Sequence, residues 1–250
     1  MTAKHHIITS DLLDHISLDC VIFGFHDDEL KVLMLRLKRS DTYALPGGFM
    51  KHEETLEQAA ERTLKERTGL DNIFLRQFKV FSDPNRGKGV KRDPDFEKNE
   101  SPEVVAFFKK RFISVGFYAL VEFSEVDPQP DALSESCQWI SPLANIDMFL
   151  DHKDIIDKAL RTLRLQLNQQ PIGLKLLPKK FTMPQLQKLY ETILGHELDR
   201  RNFQRKILSY KILNKLNERK TGGAHKAPYL YEFNMESYQK ALEDGLSGSW

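Results

Sequence analysis

Two groups of residues have types and spacing suited to chemistry. The first lies in GGFMKHEETLEQAAERTLKERTGL, from Gly47 to Leu70, where Gly48, Glu54, Arg62, Glu66 and Gly69 punctuate a stretch of good helix formers. Carboxylates gathered on such a helix can hold a hard divalent cation. Mg²⁺ requires several oxygen ligands at once. The second group is DRRNFQRKILSYKIL, which begins at Asp199 and places Arg200, Arg201, Asn202, Gln204 and Arg205 on one short helix. In a DNA major groove Arg pairs with guanine, and Asn or Gln with adenine. Arg219 and Lys220, at the end of the next segment, suit the phosphate backbone.

These residues need elements to hold them. Residues 18–37, LDCVIFGFHDDELKVLMLRL, read as two apolar strands around a turn from His26 to Glu29. A helix is expected over about 54–67, then strands over 73–81, 113–123 and 136–140, then a helix over about 152–168 with Asp151 as its N-cap and Asp154 favouring its positive end. Between the first two of those three strands lies an insertion from Ser82 to Arg111. Its first half is rich in Gly, Pro and charge and reads as loop, and PEVVAFFKK can form one or two helical turns. Gln170-Pro171 ends the preceding helix, because a residue before proline is pushed out of the α region.

A second module follows. Thr182-Met183-Pro184-Gln185 has the form of a capping box, and Leu186, Leu189, Tyr190 and Ile193 follow at helical spacing up to Gly195. Asp199 then opens the basic helix, on which Phe203, Ile207, Leu208 and Ile212 form an apolar stripe. Gly222-Gly223 is the signal for a turn, and YLYEF is a returning strand. Two helices and a hairpin make a winged helix-turn-helix. The alternative is a solvated basic helix in a small docking domain.

Composition sets limits on both modules. At 250 residues with 40% apolar content, the chain can build one large or two modest cores. No apolar run reaches membrane-spanning length, and MTAKHHIITSDLLDH lacks the apolar core of a signal peptide, so a cytoplasmic protein is expected. Cys20 and Cys137 sit in apolar runs and read as buried free thiols, and His5-His6 as exposed tail. The net charge of +1 conceals a split. From Lys175 to Lys226 there are 13 Lys and Arg against 4 Asp and Glu, which leaves the remainder acidic, so only the C-terminal module is expected to meet a polyanion.

The spacing in Gly47–Leu70 resembles the Nudix box. Gly48, Glu54, Arg62, Leu64, Glu66, Gly69 and Leu70 fall on its pattern, whereas Thr63 and Arg67 occupy positions where the family carries Glu. In the family those two positions and Glu66 stand at i, i+3 and i+4 on one helix face. One carboxylate therefore remains, Arg67 puts a fixed positive charge where a cation would sit, and Lys51 stands where many members carry a further acid. The resemblance implies a structural role for Glu54 and Arg62 as a bracing ion pair. It also implies no catalytic residue in the degenerate box of Gly48, Glu54, Arg62, Thr63, Glu66, Arg67 and Gly69, and no required cofactor. Mg²⁺ at Glu66 would accompany residual hydrolysis only.

With LLPKKFTMPQLQKLYETILGHELDRRNFQRKIL and the Gly-rich wing, the whole chain resembles the Nudix-related bacterial transcriptional regulators, some of which sense ADP-ribose-type ligands and others a pentose. The implied fold is α/β: a Nudix α/β/α sandwich with a mixed sheet over 1–168, a winged helix over 172–234 and a tail over 235–250. The implied partners are operator DNA, a second copy of the chain and a small effector, with no membrane. In Nudix-like proteins the region of the Ser82–Arg111 insertion lies near the ligand cleft, so it reads equally as a lid or as a solvated excursion. Lys51, Arg67, Arg86 and Arg92 could line a local basic cleft for a phosphorylated nucleotide-sugar. The rebuilt position 67 tips the sequence reading slightly towards a sugar or sugar-derived effector. Two alternatives remain: an active hydrolase of a nucleoside diphosphate derivative, which would need Glu57 or Glu61 on the face of Glu66, and a regulator that slowly hydrolyses its own effector.

Overall fold

Unbroken apolar runs mark strands that are covered on both faces. In the computed structural model, which describes residues 9–38, 41–71, 73–86, 96–167, 169–220 and 227–246, two such runs form the centre of a sheet. These are β1 (Leu12–His26), buried from Leu18 to Gly24, and β2 (Glu29–Leu37), buried from Val32 to Leu35. The turn between them is Asp27-Asp28, with φ of 49° and 60°. Positive φ at both central residues suits the twist of a two-residue hairpin, and Asp tolerates it better than most residues.

Five more strands complete this sheet: β3 (Tyr43–Ala44), β4 (Gly47–Lys51), β5 (Phe74–Phe81), β6 (Ile113–Val121) and β7 (Ser134–Ile140). The order is β3-β2-β1-β6-β5, with β4 on β1 and β7 on β2. The helices of this part are α1 (Leu56–Thr68), α2 (Phe96–Asn99), α3 (Pro102–Lys109) and α4 (His152–Gln166). Cover for the sheet comes from Ala59, Ala60 and Leu64 of α1 and from Ile155, Ile156 and Ala159 of α4, all essentially inaccessible. Phe23, Phe117 and Tyr118 are the large side chains of the core, and burying each is worth about 1.5–3 kcal/mol. The second half of the insertion forms α3, with Ser101 as its N-cap.

The C-terminal part is built from β8 (Phe181–Thr182), α5 (Met183–Leu194), α6 (Arg200–Ser209), β9 (Leu213–Arg219), β10 (Tyr229–Phe233) and α7 (Met235–Asp244). Its antiparallel sheet runs β8-β10-β9. Thr182 caps α5 with the reciprocal Gln185 bond, and Asp199 caps α6 through the backbone N–H of Asn202. The turn between these helices is pinned by two side chains of α5. Glu191 accepts from the Leu198 N–H at 3.0 Å and Gln187 donates to the Leu198 carbonyl at 2.9 Å. Phe203 meets Tyr190 edge-on at 5.4 Å, and Phe181 packs on Phe233.

Several expectations change. The basic helix stops at Ser209, because Lys211 adopts φ 56° and reverses the chain; Ile212 is buried just beyond it, and Leu208 lies 39% exposed outside the apolar stripe. The segment read as a tail carries α7, which is tied down because the Tyr238 hydroxyl donates to the Pro171 carbonyl at 2.7 Å and its ring meets Phe233 at 5.0 Å. The chain divides into one unit of Met1–Phe23, Lys31–Leu120 and Glu125–Ala159, and a second of Gly24–Leu30, Val121–Ser124 and Leu160–Trp250. The hairpin tip thus belongs with the C-terminal elements, where Thr192 donates to the Asp28 carbonyl at 3.0 Å and His26 stacks on Phe123 at 4.2 Å.

Both cysteines are free; Cys20 is buried and Cys137 half-buried. Burial pushes the Cys137 thiol up to about 12, and Cys20 is raised by the same cause. No described helix is long and apolar enough to cross a membrane. His5-His6, Arg92 and the Gly222-Gly223 turn lie outside the described residues.

Candidate functional site

The box begins in a tight approach of backbone to backbone. A side chain at Gly47 would put its Cβ 2.7 Å from the Leu18 carbonyl oxygen, so β4 can pair with β1 there only with glycine. At the far end Gly69 closes α1 with φ 72°, a conformation that other residues resist. Between them Glu54 and Arg62 brace the loop against the helix. Arg62 donates to the two Glu54 oxygens at 2.6 and 3.1 Å and to the Phe49 carbonyl at 3.0 Å, while Glu54 also accepts from the Lys51 backbone N–H at 2.7 Å. The Arg62 guanidinium holds the Glu54 carboxyl below the usual range.

The face expected to bind metal is filled differently. Thr63 is buried, its hydroxyl 3.1 Å from where a Cβ on Gly48 would sit. Glu66 lies between two guanidiniums, 3.6 Å from Arg62 and 3.2 Å from Arg67. Arg67 also donates to the Gln129 carbonyl at 3.3 Å, and the Gln129 N–H returns a bond to the Arg67 carbonyl at 3.0 Å. Position 67 therefore straps the loop before β7 to the end of α1. Its Nε is buried without a hydrogen-bond partner. Glu57 and Glu61 are exposed elsewhere on the helix, and among the described residues no three His, Cys, Asp or Glu side chains converge to hold an ion. A lone carboxylate neutralised by two arginines does not fit the hard cation that Nudix chemistry uses.

The cationic candidates separate. Lys51 is exposed at the end of β4. Arg86 is drawn inward, with its side chain 6% exposed, donating at 2.7 Å both to Asp19 on β1 and to Asp151 before α4. One oxygen of Asp151, expected as an N-cap, is thus spent on Arg86. Asp19 further accepts from the Ser114 hydroxyl at 2.5 Å and faces His152 Nε2 at 3.4 Å. Sequence reasoning missed Asp19, Ser114, His152 and Gln129. The available signal was Asp19 itself, a single acid inside the apolar run LDCVIF, which must find a buried partner.

His152 in this cluster predicts a pH dependence. Its Nδ1 accepts from the Leu45 N–H at 2.9 Å, so that nitrogen carries no proton. Burial, only partly opposed by Asp19, lowers its pKa from the ordinary 6.5. The unfolded chain therefore binds a proton below about pH 6.5 that the folded chain refuses. Stability is fully present above that pH and is lost as the pH falls towards the folded value, by at most about 1.4 kcal/mol per pH unit. Thermal midpoints measured from pH 8 to pH 5 should fall below pH 6.5 in the wild type and fall less in His152→Gln; equal profiles would remove His152 from the account.

On the second unit the N-terminal half of α6 presents Arg200, Arg201, Asn202 and Arg205 to solvent, with Gln204 half-exposed, over a buried face of Phe203 and Ile207. Arg205 donates to the Asn202 side-chain oxygen at 3.0 Å, so it is the amide N–H groups of this exposed side chain that can serve as donors. Arg219 and Lys220 are both exposed at the end of β9. Sequence reasoning missed Lys215 and Tyr229; the Tyr229 ring meets both Lys215 and Arg219 only once β9 and β10 are paired.

A Nudix fold with a rebuilt metal face, joined to a winged helix with an exposed basic helix, defines a Nudix-related DNA-binding regulator. Comparison with known proteins agrees. Residues 14–162 match the NUDIX domain and residues 173–233 the NrtR DNA-binding winged helix domain, so the chain belongs to the Nudix family and carries the DNA-binding domain of its regulators. A relative from Acinetobacter baylyi, described as an ADPR responsive transcriptional repressor NtrR, is 28% identical over 230 residues, covering 89% of this chain and 83% of its own. The crystal structure of Shewanella oneidensis NrtR matches with a TM-score of 0.72 at 21% identity, over 95% of this chain and 100% of that one. The same protein complexed with a 27mer DNA matches at 0.71 and 20% identity, with the same coverage. At these identities the two structures speak for the fold.

Proposed function

We propose that this chain is a transcriptional repressor that binds operator DNA through α6 and is controlled by an ADP-ribose-type ligand on its Nudix domain. The observation that carries the reading is the exposed Arg200-Arg201-Asn202 edge of α6, on a domain that matches a DNA-binding family, in the same chain as a box without its metal ligands. Acting on chromosomal DNA places the protein in the cytoplasm. Two copies would present two such helices to half-sites related by twofold symmetry. The Nudix domain needs no metal for this task, since it binds rather than cleaves.

The slight preference for a sugar gives way because of what the Acinetobacter relative is described as sensing. A diphosphate also suits the chemistry. The guanidinium of Arg67, held on Glu66 and the Gln129 carbonyl, puts a fixed positive charge where a metal would otherwise sit. The ligand can move the DNA equilibrium only by preferring one dimer geometry.

Fluorescence anisotropy with a duplex from upstream of its own gene tests this reading. Arg201→Ala should cost about 1–3 kcal/mol and relax preference at one base position. Lys220→Ala should weaken all sequences alike and flatten the salt dependence. Unchanged affinity and preference in Arg201→Ala would remove α6 from the groove. ADP-ribose should raise the thermal midpoint of the wild type and not of Arg67→Ala, and should shift DNA affinity; a panel in which only pentoses or hexoses stabilise the protein would reinstate the sugar class.

A further inference from the structure

On the β9–β10 hairpin two cations gather on one tyrosine. Arg219 stands opposite Tyr229 in the strand register, and a shift in register between Tyr229 and Tyr231 brings Lys215, the partner of Tyr231, back over the same ring. The Lys215 Nζ lies 3.8 Å and the Arg219 guanidinium carbon 4.2 Å from the Tyr229 ring centre. Arg219 is held at two further points: it donates to the Tyr229 hydroxyl at 2.7 Å and to the Ala227 carbonyl at 3.2 Å. A guanidinium has five N–H donors, so among the described residues three have no partner.

Among the described residues no acid balances this pair. Glu218, between them in sequence, is committed to Lys180 at 2.7 Å, and among the described residues neither Lys215 nor Arg219 has a carboxylate within ion-pair reach. All three side chains are exposed. Two like charges held close together by an aromatic ring, with donors left open, form a preorganised site for a polyanion.

We infer that Lys215, Arg219 and Tyr229 act as one phosphate clamp on duplex DNA, in which Tyr229 is a positioning residue that fixes the two cations for neighbouring backbone oxygens. The inference rests on the DNA-binding reading above and adds Lys215 and Tyr229 to it. Tyr229 carries no charge, so its contribution lies in ordering cost and is separable from counterion release.

The test uses the full chain and a labelled mixed-sequence duplex of about 30 base pairs, titrated by anisotropy over a series of KCl concentrations. Lys215→Ala should reduce the slope of log affinity against log salt by about 0.9. Tyr229→Phe, which keeps the ring, and Tyr229→Ala should leave the slope unchanged yet weaken binding about 2- to 10-fold, the alanine variant more. Arg219→Ala with Tyr229→Phe should bind no worse than Arg219→Ala alone, because the hydroxyl then has nothing to position. Matching thermal midpoints show that the variants are folded, and the isosteric Tyr229→Phe carries the test if the alanine variant is not.

Wild-type affinity in both Tyr229 variants, or an unchanged slope in Lys215→Ala, overturns the clamp. If those results come with a weakened Arg201→Ala on the upstream duplex, only the clamp fails. A wild type that binds no duplex at the lowest salt sinks the DNA-binding reading and the clamp together.

Discussion

Supplied with Mg²⁺ or Mn²⁺, the purified protein should turn over ADP-ribose and NADH at least about 10³-fold more slowly than the low end of the ordinary enzyme range of about 1–10³ s⁻¹. The expectation follows from what surrounds Glu66, which lies between Arg62 and Arg67, and from Thr63, which is buried where a second acid would be needed. Without a metal the developing charge on a phosphoryl oxygen is not neutralised, and among the described residues no three His, Cys, Asp or Glu side chains converge to replace the lost ligands. Thr63→Glu with Arg67→Glu puts three acids on one face. Their mutual repulsion should make the variant's thermal midpoint rise with Mn²⁺, whereas the wild type's stays flat. Activity is not expected to return, because the double change also cuts the strap from Arg67 to Gln129. Turnover in the ordinary range by the wild type would reverse the reading of the whole N-terminal unit.

Arg86→Met should destabilise the Nudix unit by about 3–5 kcal/mol, because removing one partner of a buried ion pair leaves the other charge uncompensated. Asp19 would keep only the Ser114 hydroxyl and His152, and Asp151 would lose its partner in the cluster. For a unit of this size the thermal midpoint should fall by about 10 °C. Asp19→Asn combined with Arg86→Met should cost less than the sum of the single changes, since neither then strands a buried charge. A functional consequence should accompany the loss. Arg86 ends the short turn Asp83–Arg86 at the start of the insertion, so the variant should be cut faster by protease between Ser82 and Arg111 than the wild type. A shift in midpoint below about 2 °C would show that the cluster carries little of the stability.

The architecture was legible because its signals are local. The apolar runs of β1 and β2, the Thr182–Gln185 capping box, Asp199 before α6 and Gly69 after α1 each depend on residues a few positions apart, and the elements formed where those signals stood. The boundaries that moved were set by distant partners. The basic helix ends early because Lys211 turns to bury Ile212, and the last ten helical residues are ordered by Tyr238 reaching back to Pro171. Spacing along the chain contains no record of either contact.

The candidate site divides in the same way. The sequence by itself determined that the box keeps its brace and loses its metal face, since Glu54, Arg62, Thr63 and Arg67 are matters of identity and spacing, and that the net positive charge lies in the C-terminal module. Only the tertiary structure decided where each cation spends its charge. Arg86, which looked free for a ligand, is pulled inward because a buried Asp19 cannot remain unpaired; Arg67 turns to the Gln129 carbonyl; Arg219 lies on Tyr229. A long flexible side chain takes the strongest partner within reach, and that partner is fixed by strand pairing and helix packing across tens of residues.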